Sequence, residues 1–170
     1  FAADALERGA AAVMVHERPN GLASDAPVLM VANTMAGLEA LGVAARARTA
    51  AKIAAVTGSV GKTGTKEALL HVLASVAPTH ASQGNLNNHW GVPLSLSRMP
   101  ADSVYGVFEL GMNHAGEITP LSRMVRPHVA IITNVELVHL EFFASLGEIA
   151  DAKAEIFAGL QPGGVAILNR

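Results

Sequence analysis

Residues 57 to 63 read Thr57-Gly58-Ser59-Val60-Gly61-Lys62-Thr63. Gly58 and Gly61 allow successive backbone N–H groups to turn toward one anion, Lys62 brings a mobile cation, and Thr63 supplies a hydroxyl able to ligate Mg²⁺. The apolar run Lys52-Ile53-Ala54-Ala55-Val56 precedes this loop and the helix-like Lys66-Glu67-Ala68-Leu69-Leu70 follows it. The loop, with Ser59, Val60 and Gly64 beside its glycines, therefore opens into a helix N-terminus whose positive end favours phosphate. The common pattern has a further glycine five residues before Gly61, where this chain has Val56. An ordinary surface turn is the alternative, and the flanking strand and helix argue for a nucleoside triphosphate instead.

Other residues could act on such a ligand. Glu109 ends the apolar run Tyr105-Gly106-Val107-Phe108, where a carboxylate must face solvent, a cation or a metal. Beside a phosphate loop, Mg²⁺ coordination is the sharper expectation. His139 follows Thr133-Asn134-Val135-Glu136-Leu137-Val138; on residue type alone it reads as a hydrogen-bonded loop histidine, since imidazole prefers softer metals. Lys153, in Ile149-Ala150-Asp151-Ala152-Lys153-Ala154-Glu155-Ile156-Phe157, reads as a surface lysine of an amphipathic helix. His16, His71, His80 and His128 read as ordinary structural or surface histidines. Two further strings follow from neither periodicity nor propensity: Gly84-Asn85-Leu86-Asn87-Asn88-His89-Trp90-Gly91 and Glu109-Leu110-Gly111-Met112-Asn113-His114-Ala115-Gly116-Glu117-Ile118. Asn85, Asn87 and Asn88 offer amide donors and acceptors in a polar loop, which suits either recognition of a polar substrate or an asparagine-rich turn.

The elements that would carry these residues alternate. Helical spacing runs from Ala2 to Gly9, strands are expected at 11–15 and 27–31, and Thr34 is expected to cap a helix reaching Arg48. A boundary is placed near residues 49–51. Beyond it the order is strand 52–57, helix 63–75, an irregular polar stretch 79–89, helix 91–98, strand 104–110, helix 116–125, strand 128–134, helix 145–159 and strand 164–169. Runs such as Val129-Ala130-Ile131-Ile132-Thr133 are continuously apolar, as in a parallel sheet covered on both faces. The expected fold is a doubly wound, mostly parallel α/β sheet, whose ligands collect at the carboxyl ends of the strands. Three strand ends, Thr57 to Thr63, Glu109 to His114 and Thr133 to His139, would converge on one site.

Composition narrows the function classes. The 170 residues are 51% apolar and 15% charged with a net charge of −2, which is globular and offers no electrostatic footprint for nucleic acid or an anionic membrane. Cysteine is absent, which excludes disulfides and thiolate metal sites and suits a reducing compartment, so the expected location is cytoplasmic. No apolar stretch reaches the length of a membrane span. The start at Phe1 and the stop at Arg170 just after a strand lead us to expect a piece of a longer protein.

With these strings together, the chain resembles the Mur ligase family, and within it the members that add D-alanyl-D-alanine to UDP-N-acetylmuramoyl-tripeptide. The resemblance rests on the phosphate loop, Gly84 to Asn88, Glu109 to Ile118, His139-Leu140-Glu141 and Lys153 to Phe157. It implies an ATP-dependent amide-bond ligase of peptidoglycan precursor synthesis, acting through an acyl phosphate as a monomer. Residues 1–50 would be the end of a UDP-sugar-binding domain and 51–170 the first part of the central ATPase domain, a piece expected to be inactive without its carboxyl-terminal domain. The resemblance further implies that Lys62 and the loop amides hold the ATP phosphates. Thr63, Glu109, His139 and a carbamoylated Lys153 would surround Mg²⁺, with Asn134 at the nucleotide end. Asn85, Asn87, Asn88, Asn113 and His114 would meet the muramoyl-peptide. Gly64 and His89-Trp90 depart from the family pattern. Other members, a folylpolyglutamate synthetase or a non-catalytic nucleotide switch are the rival readings.

Overall fold

In the computed structural model, which describes residues 1–137 and 142–169, five parallel strands form one sheet and two more form a small sheet at the amino end. The small unit comprises α1 (Ala2–Glu7), β1 (Val13–Val15), β2 (Val28–Met30) and α2 (Thr34–Ala47). Asn33, not Thr34, caps α2: its extended backbone lets its side chain accept from Ala36 N at 3.0 Å. An Asn-Thr pair offers two capping oxygens, and helical φ and ψ at Thr34 decide between them.

The larger sheet holds β3 (Lys52–Thr57), β4 (Thr79–Ala81), β5 (Tyr105–Glu109), β6 (Val129–Ile132) and β7 (Val165–Leu168) in the order β4-β5-β3-β6-β7. Its helices are α3 (Lys62–Ala74), α4 (Gly91–Ser97), α5 (Ile118–Val125) and α6 (Leu146–Ala154), the last continued by a 3₁₀ turn at Glu155–Gly159. The single helix expected over 145–159 therefore tightens at its end, where Gly159 must pass against the backbone of Ser122 with no room for a Cβ. The stretch expected to be irregular contains β4, whose three residues pair with Tyr105 to Val107. Thr79-His80-Ala81 is too short and too polar to signal a strand by itself.

Strand alternation sends Ile53, Ala55, Phe108, Ala130 and Ile132 to one face, where Val92, Leu96, Leu121, Val125, Ile149 and Ile156 of α4, α5, α6 and the 3₁₀ turn complete a buried core. The opposite face, with Val107 and Glu109, is crossed by α3. Helix α2 joins the two units: Gly42 sits against Pro93 of α4, and the buried Arg46 donates from Nε to Val125 O (2.7 Å) and from a terminal nitrogen to Arg126 O (3.1 Å). These bonds satisfy carbonyls at the end of α5 that no helical amide can reach.

Because β3 pairs with β5 on one side and β6 on the other, the chain order reverses at β3. That crevice, outside the carboxyl ends of these strands, is where open α/β sheets hold ligands.

Candidate nucleotide and acceptor site

The phosphate loop bridges β3 and α3. Gly58 (φ +147°) and Gly61 (φ +81°) both adopt backbone that L side chains rarely adopt, and a Cβ on Gly58 would collide with the Thr133 hydroxyl. The loop is pinned from the β6 side. Ser59 N donates to Asn134 O at 3.1 Å, Val60 N to Asn134 Oδ1 at 3.0 Å, and Thr133 Oγ1 to Val60 O at 2.6 Å. Ser59 Oγ donates to Glu136 O and accepts from Glu136 N. The N–H groups of Gly61, Lys62 and Thr63 have no partner among the described residues, so three donors at a helix start face one side. Lys62 Nζ reaches back to Gly58 O at 2.8 Å and Ser59 O at 3.3 Å. Burial lowers its pKa, and the charge of Glu109 partly opposes that shift.

Glu109 is 2% exposed and links three segments. Its Oε2 accepts from Thr63 Oγ1 at 2.8 Å, its Oε1 accepts from Asn87 Nδ2 at 2.8 Å, and its backbone N donates to Ser82 Oγ at 3.1 Å. A hydroxyl and a carboxylate oxygen thus converge beside the free loop amides. This is a hard oxygen pair of the kind Mg²⁺ prefers, so the residues present fit that ion.

Lys153 corrects the expectation of a surface lysine: it is 2% exposed. Burial, and secondarily the charge of Lys62, bring its pKa down to about 8. Its place among apolar positions 149, 152 and 156 was legible, but the helical pattern could not tell that its own face is covered. His139 lies outside the described residues.

A cavity of about 440 Å³ adjoins Glu109 and is lined by Asn87, Asn88, His89, Asn113, Gly116 and Glu117 among others. Asn88 lines it while its Oδ1 accepts from Gly91 N, the first residue of α4, at 2.9 Å. Asn85 and His114 are not among its lining residues. Asn85 is exposed, and His114 packs on Phe142 with ring centroids 4.4 Å apart and meets Glu117 Oε1 at 3.2 Å. Gly64 is exposed in the first turn of α3 with open space where a Cβ would be. Asn134 has its side-chain oxygen engaged by the loop. A second cavity, also about 440 Å³, lies beyond it between Ile132, Glu136, Ala154 and Phe157.

Four contributors were not singled out from the sequence: Lys66, Ser82, Thr133 and Glu155. Thr133 stands at the end of an expected strand, the one signal that would have flagged it; Ser82 follows β4, which its own residues do not announce. Lys66 and Glu155 lie in helical stretches whose pattern alone does not separate them from surface charges. Glu155 accepts from Gly116 N at 2.5 Å and from Thr119 N at 2.9 Å, while Glu117 accepts from Asn113 N at 2.7 Å; together they hold one wall of the first cavity.

Comparison with known proteins agrees with this geometry. Residues 56–170 match the Mur ligase middle domain. The chain is 43% identical over 166 residues to a UDP-N-acetylmuramoyl-tripeptide–D-alanyl-D-alanine ligase of Rickettsia prowazekii, covering 98% of this chain and 37% of that protein. It is 41% identical to the Escherichia coli enzyme of the same name, with 98% and 36% covered. Among solved structures, MurF from Acinetobacter baumannii superposes with a TM-score of 0.86 at 41% identity, over 98% of this chain and 36% of that one. MurF ligase from Thermotoga maritima in complex with ADP gives 0.82 at 30% identity, over 98% and 38%. The chain thus spans little more than a third of the length of these relatives. A phosphate loop at the switch point of a parallel sheet, with its glutamate hub and a middle-domain match over most of its residues, places the chain in the Mur ligase family.

Proposed function

We propose that this chain carries the ATP-handling part of a ligase that joins D-alanyl-D-alanine to UDP-N-acetylmuramoyl-tripeptide in the cytoplasm, during peptidoglycan precursor synthesis. The observation that carries the proposal is the Glu109 carboxylate, which receives Thr63 from the phosphate loop on one oxygen and Asn87 from the asparagine-rich loop on the other. Names of the similar proteins support the choice of acceptor. In this reading residues 1–50 end a UDP-sugar-binding domain and residues 51–170 begin the ATPase domain.

The reaction has to bring a carboxylate to a triphosphate, two anions that repel. Amides of Gly61, Lys62 and Thr63 would hold the phosphates, with Lys62 Nζ exchanging its loop carbonyls for phosphate oxygens. Thr63, Glu109, His139 and Lys153 would hold Mg²⁺, which when bound neutralises phosphate charge and aligns in-line transfer. Lys153 suits this role only after its neutral amine has bonded to the carbon of CO₂ and lost a proton, becoming a carbamate anion. The amine's low pKa makes the neutral form accessible near neutral pH. The tripeptide carboxylate would attack the γ-phosphorus as the bond to ADP breaks. The dipeptide amine would then attack the acyl carbon, losing a proton as phosphate leaves. The cavity beside Asn87 and Asn113 would hold the end of the muramoyl-peptide, and Asn134 would border the nucleoside end.

The test uses the natural full-length protein carrying these residues, with ATP, UDP-muramoyl-tripeptide and a panel of amines. Phosphate release and a new amide product only with D-alanyl-D-alanine support the reading. Release with a single amino acid or glutamate assigns another acceptor, and nucleotide binding without release assigns a switch.

A further inference from the structure

Lys66 is wholly buried, although a helix position one turn beyond Lys62 needs no cation there for phosphate binding. Its ammonium donates to Ser82 O at 2.8 Å and Gly84 O at 3.0 Å, and pairs with Glu67 Oε1 at 2.9 Å. All three ammonium protons therefore have partners. Desolvating such a charge is expensive, and buried polar groups of this kind are retained where they fix one arrangement among several. What they fix here is specific. Ser82 and Gly84 flank the exit of β4 into the asparagine-rich loop, and Gly84 sits at φ +52° with its carbonyl turned to the ammonium. Ser82 Oγ accepts from Glu109 N, Asn87 Nδ2 donates to Glu109 Oε1, and Thr63 Oγ1 closes the circuit back to α3.

From this circuit we propose that Lys66 is a positioning residue, whose ammonium fixes the 82–88 segment to the phosphate-loop helix and thereby sets where Asn87 meets both Glu109 and the adjoining cavity. An apolar side chain in the same space would leave two carbonyls without donors and free the loop from the helix. The consequence for turnover rests on the ligase reading above; the structural coupling does not.

Amide hydrogen exchange on the chain without ligands tests the coupling. Gly111 N donates to Asn87 O at 2.8 Å, whereas its neighbour Leu110 N donates to Val56 O at 2.9 Å, between the interior strands β5 and β3. In Lys66→Met the Gly111 and Leu86 amides are expected to exchange about tenfold faster while Leu110 and Thr133 stay within about twofold. Equal acceleration of all four, the signature of a merely destabilised fold, overturns the proposal, as does no change at Gly111. Should Lys66→Met fail to fold, the wild-type ammonium decides. Slow exchange of its protons, with hydrogen-bond couplings to the Ser82 and Gly84 carbonyl carbons in NMR, supports the proposal; rapid exchange without them overturns it. In the natural full-length protein the same variant is expected to raise KM for the muramoyl-peptide about tenfold with KM for ATP within about twofold. A change in neither, or an equal change in both, rejects the positioning role. A protein with no ligase activity but selective Gly111 exchange would instead overturn only the ligase reading.

Discussion

Asn87 of the asparagine-rich loop and Glu109, the last residue of β5 and 22 positions away, meet through a 2.8 Å hydrogen bond from the Asn87 amide to Oε1. That bond leaves Oε2 directed at Thr63 and joins the residues that suit a metal to those that suit a polar acceptor. A ligating carboxylate is commonly oriented by such an outer partner, whose loss costs tenfold or more in metal affinity.

Asn87→Ala should therefore weaken binding of Mg-ADP about tenfold while metal-free ADP binding changes less than about threefold. Asn87→Asp should be worse, because it places a second carboxylate against the buried Glu109. Calorimetric titrations with and without Mg²⁺ separate the two ligands. Equal loss in both would mean that Asn87 shapes the loop generally and does not aim Glu109.

Much of this arrangement is legible in the sequence. The phosphate loop, the alternation of strands and helices, and the convergence of strand ends at β3, β5 and β6 all follow from local pattern, since continuous apolar runs and loop glycines carry their meaning within a few residues. What could not be read depends on distant partners. Lys153 and Lys66 carry helix-surface patterns, and only the packing of other segments buries them. The strand at Thr79–Ala81 exists because Tyr105 to Val107 offer a ladder, not because its own residues demand one. Asn88 was expected to meet substrate, yet its side-chain oxygen is taken by Gly91 N at the start of α4, a contact that depends on how the loop turns into the helix.

Gly58→Ala should abolish tight nucleotide binding, by about a hundredfold, because the added methyl meets the Thr133 hydroxyl and the backbone is held at φ +147°. Pairing it with Thr133→Ala removes the collision but not the strain, so only part of the loss should return. Fluorescence titration with a nucleotide analogue reads both variants; full recovery in the pair would show that the clash alone governs the loop.

Lys153 should titrate near pH 8, not near 10.5, followed through its Cε resonance. The sign of the accompanying stability change is fixed by linkage. The folded pKa lies below the unfolded one, so the unfolded chain binds more protons between pH 8 and 10.5, and stability rises across that window. Below pH 8 the full penalty of burying the charged amine applies, on the order of 3 kcal/mol. Relative to Lys153→Met, the wild-type chain should gain stability as pH rises from 7.5 to 10 in urea titrations, and parallel curves would place the amine in water.

Glu155 ties the 3₁₀ turn that follows Lys153 to the wall of the cavity beside Asn87, through Gly116 N, Thr119 N and Thr119 Oγ1. Thr119 is the second residue of α5, so the carboxylate does the work of a helix N-cap from a segment 36 positions away. Glu155→Ala removes three acceptor contacts at once and should cost about 1–3 kcal/mol in thermal unfolding. Glu155→Gln keeps the shape and one acceptor oxygen but loses the charge that favours the helix start, and should recover roughly half of that loss. Because Gly116 and Glu117 line the cavity, the variant lacking the carboxylate should also lose acceptor affinity in the natural full-length protein while leaving ADP affinity near wild type. If Glu155→Ala unfolds more easily yet binds the muramoyl-peptide as before, the cavity wall is held by Glu117 and its contacts to Asn113 and His114 instead.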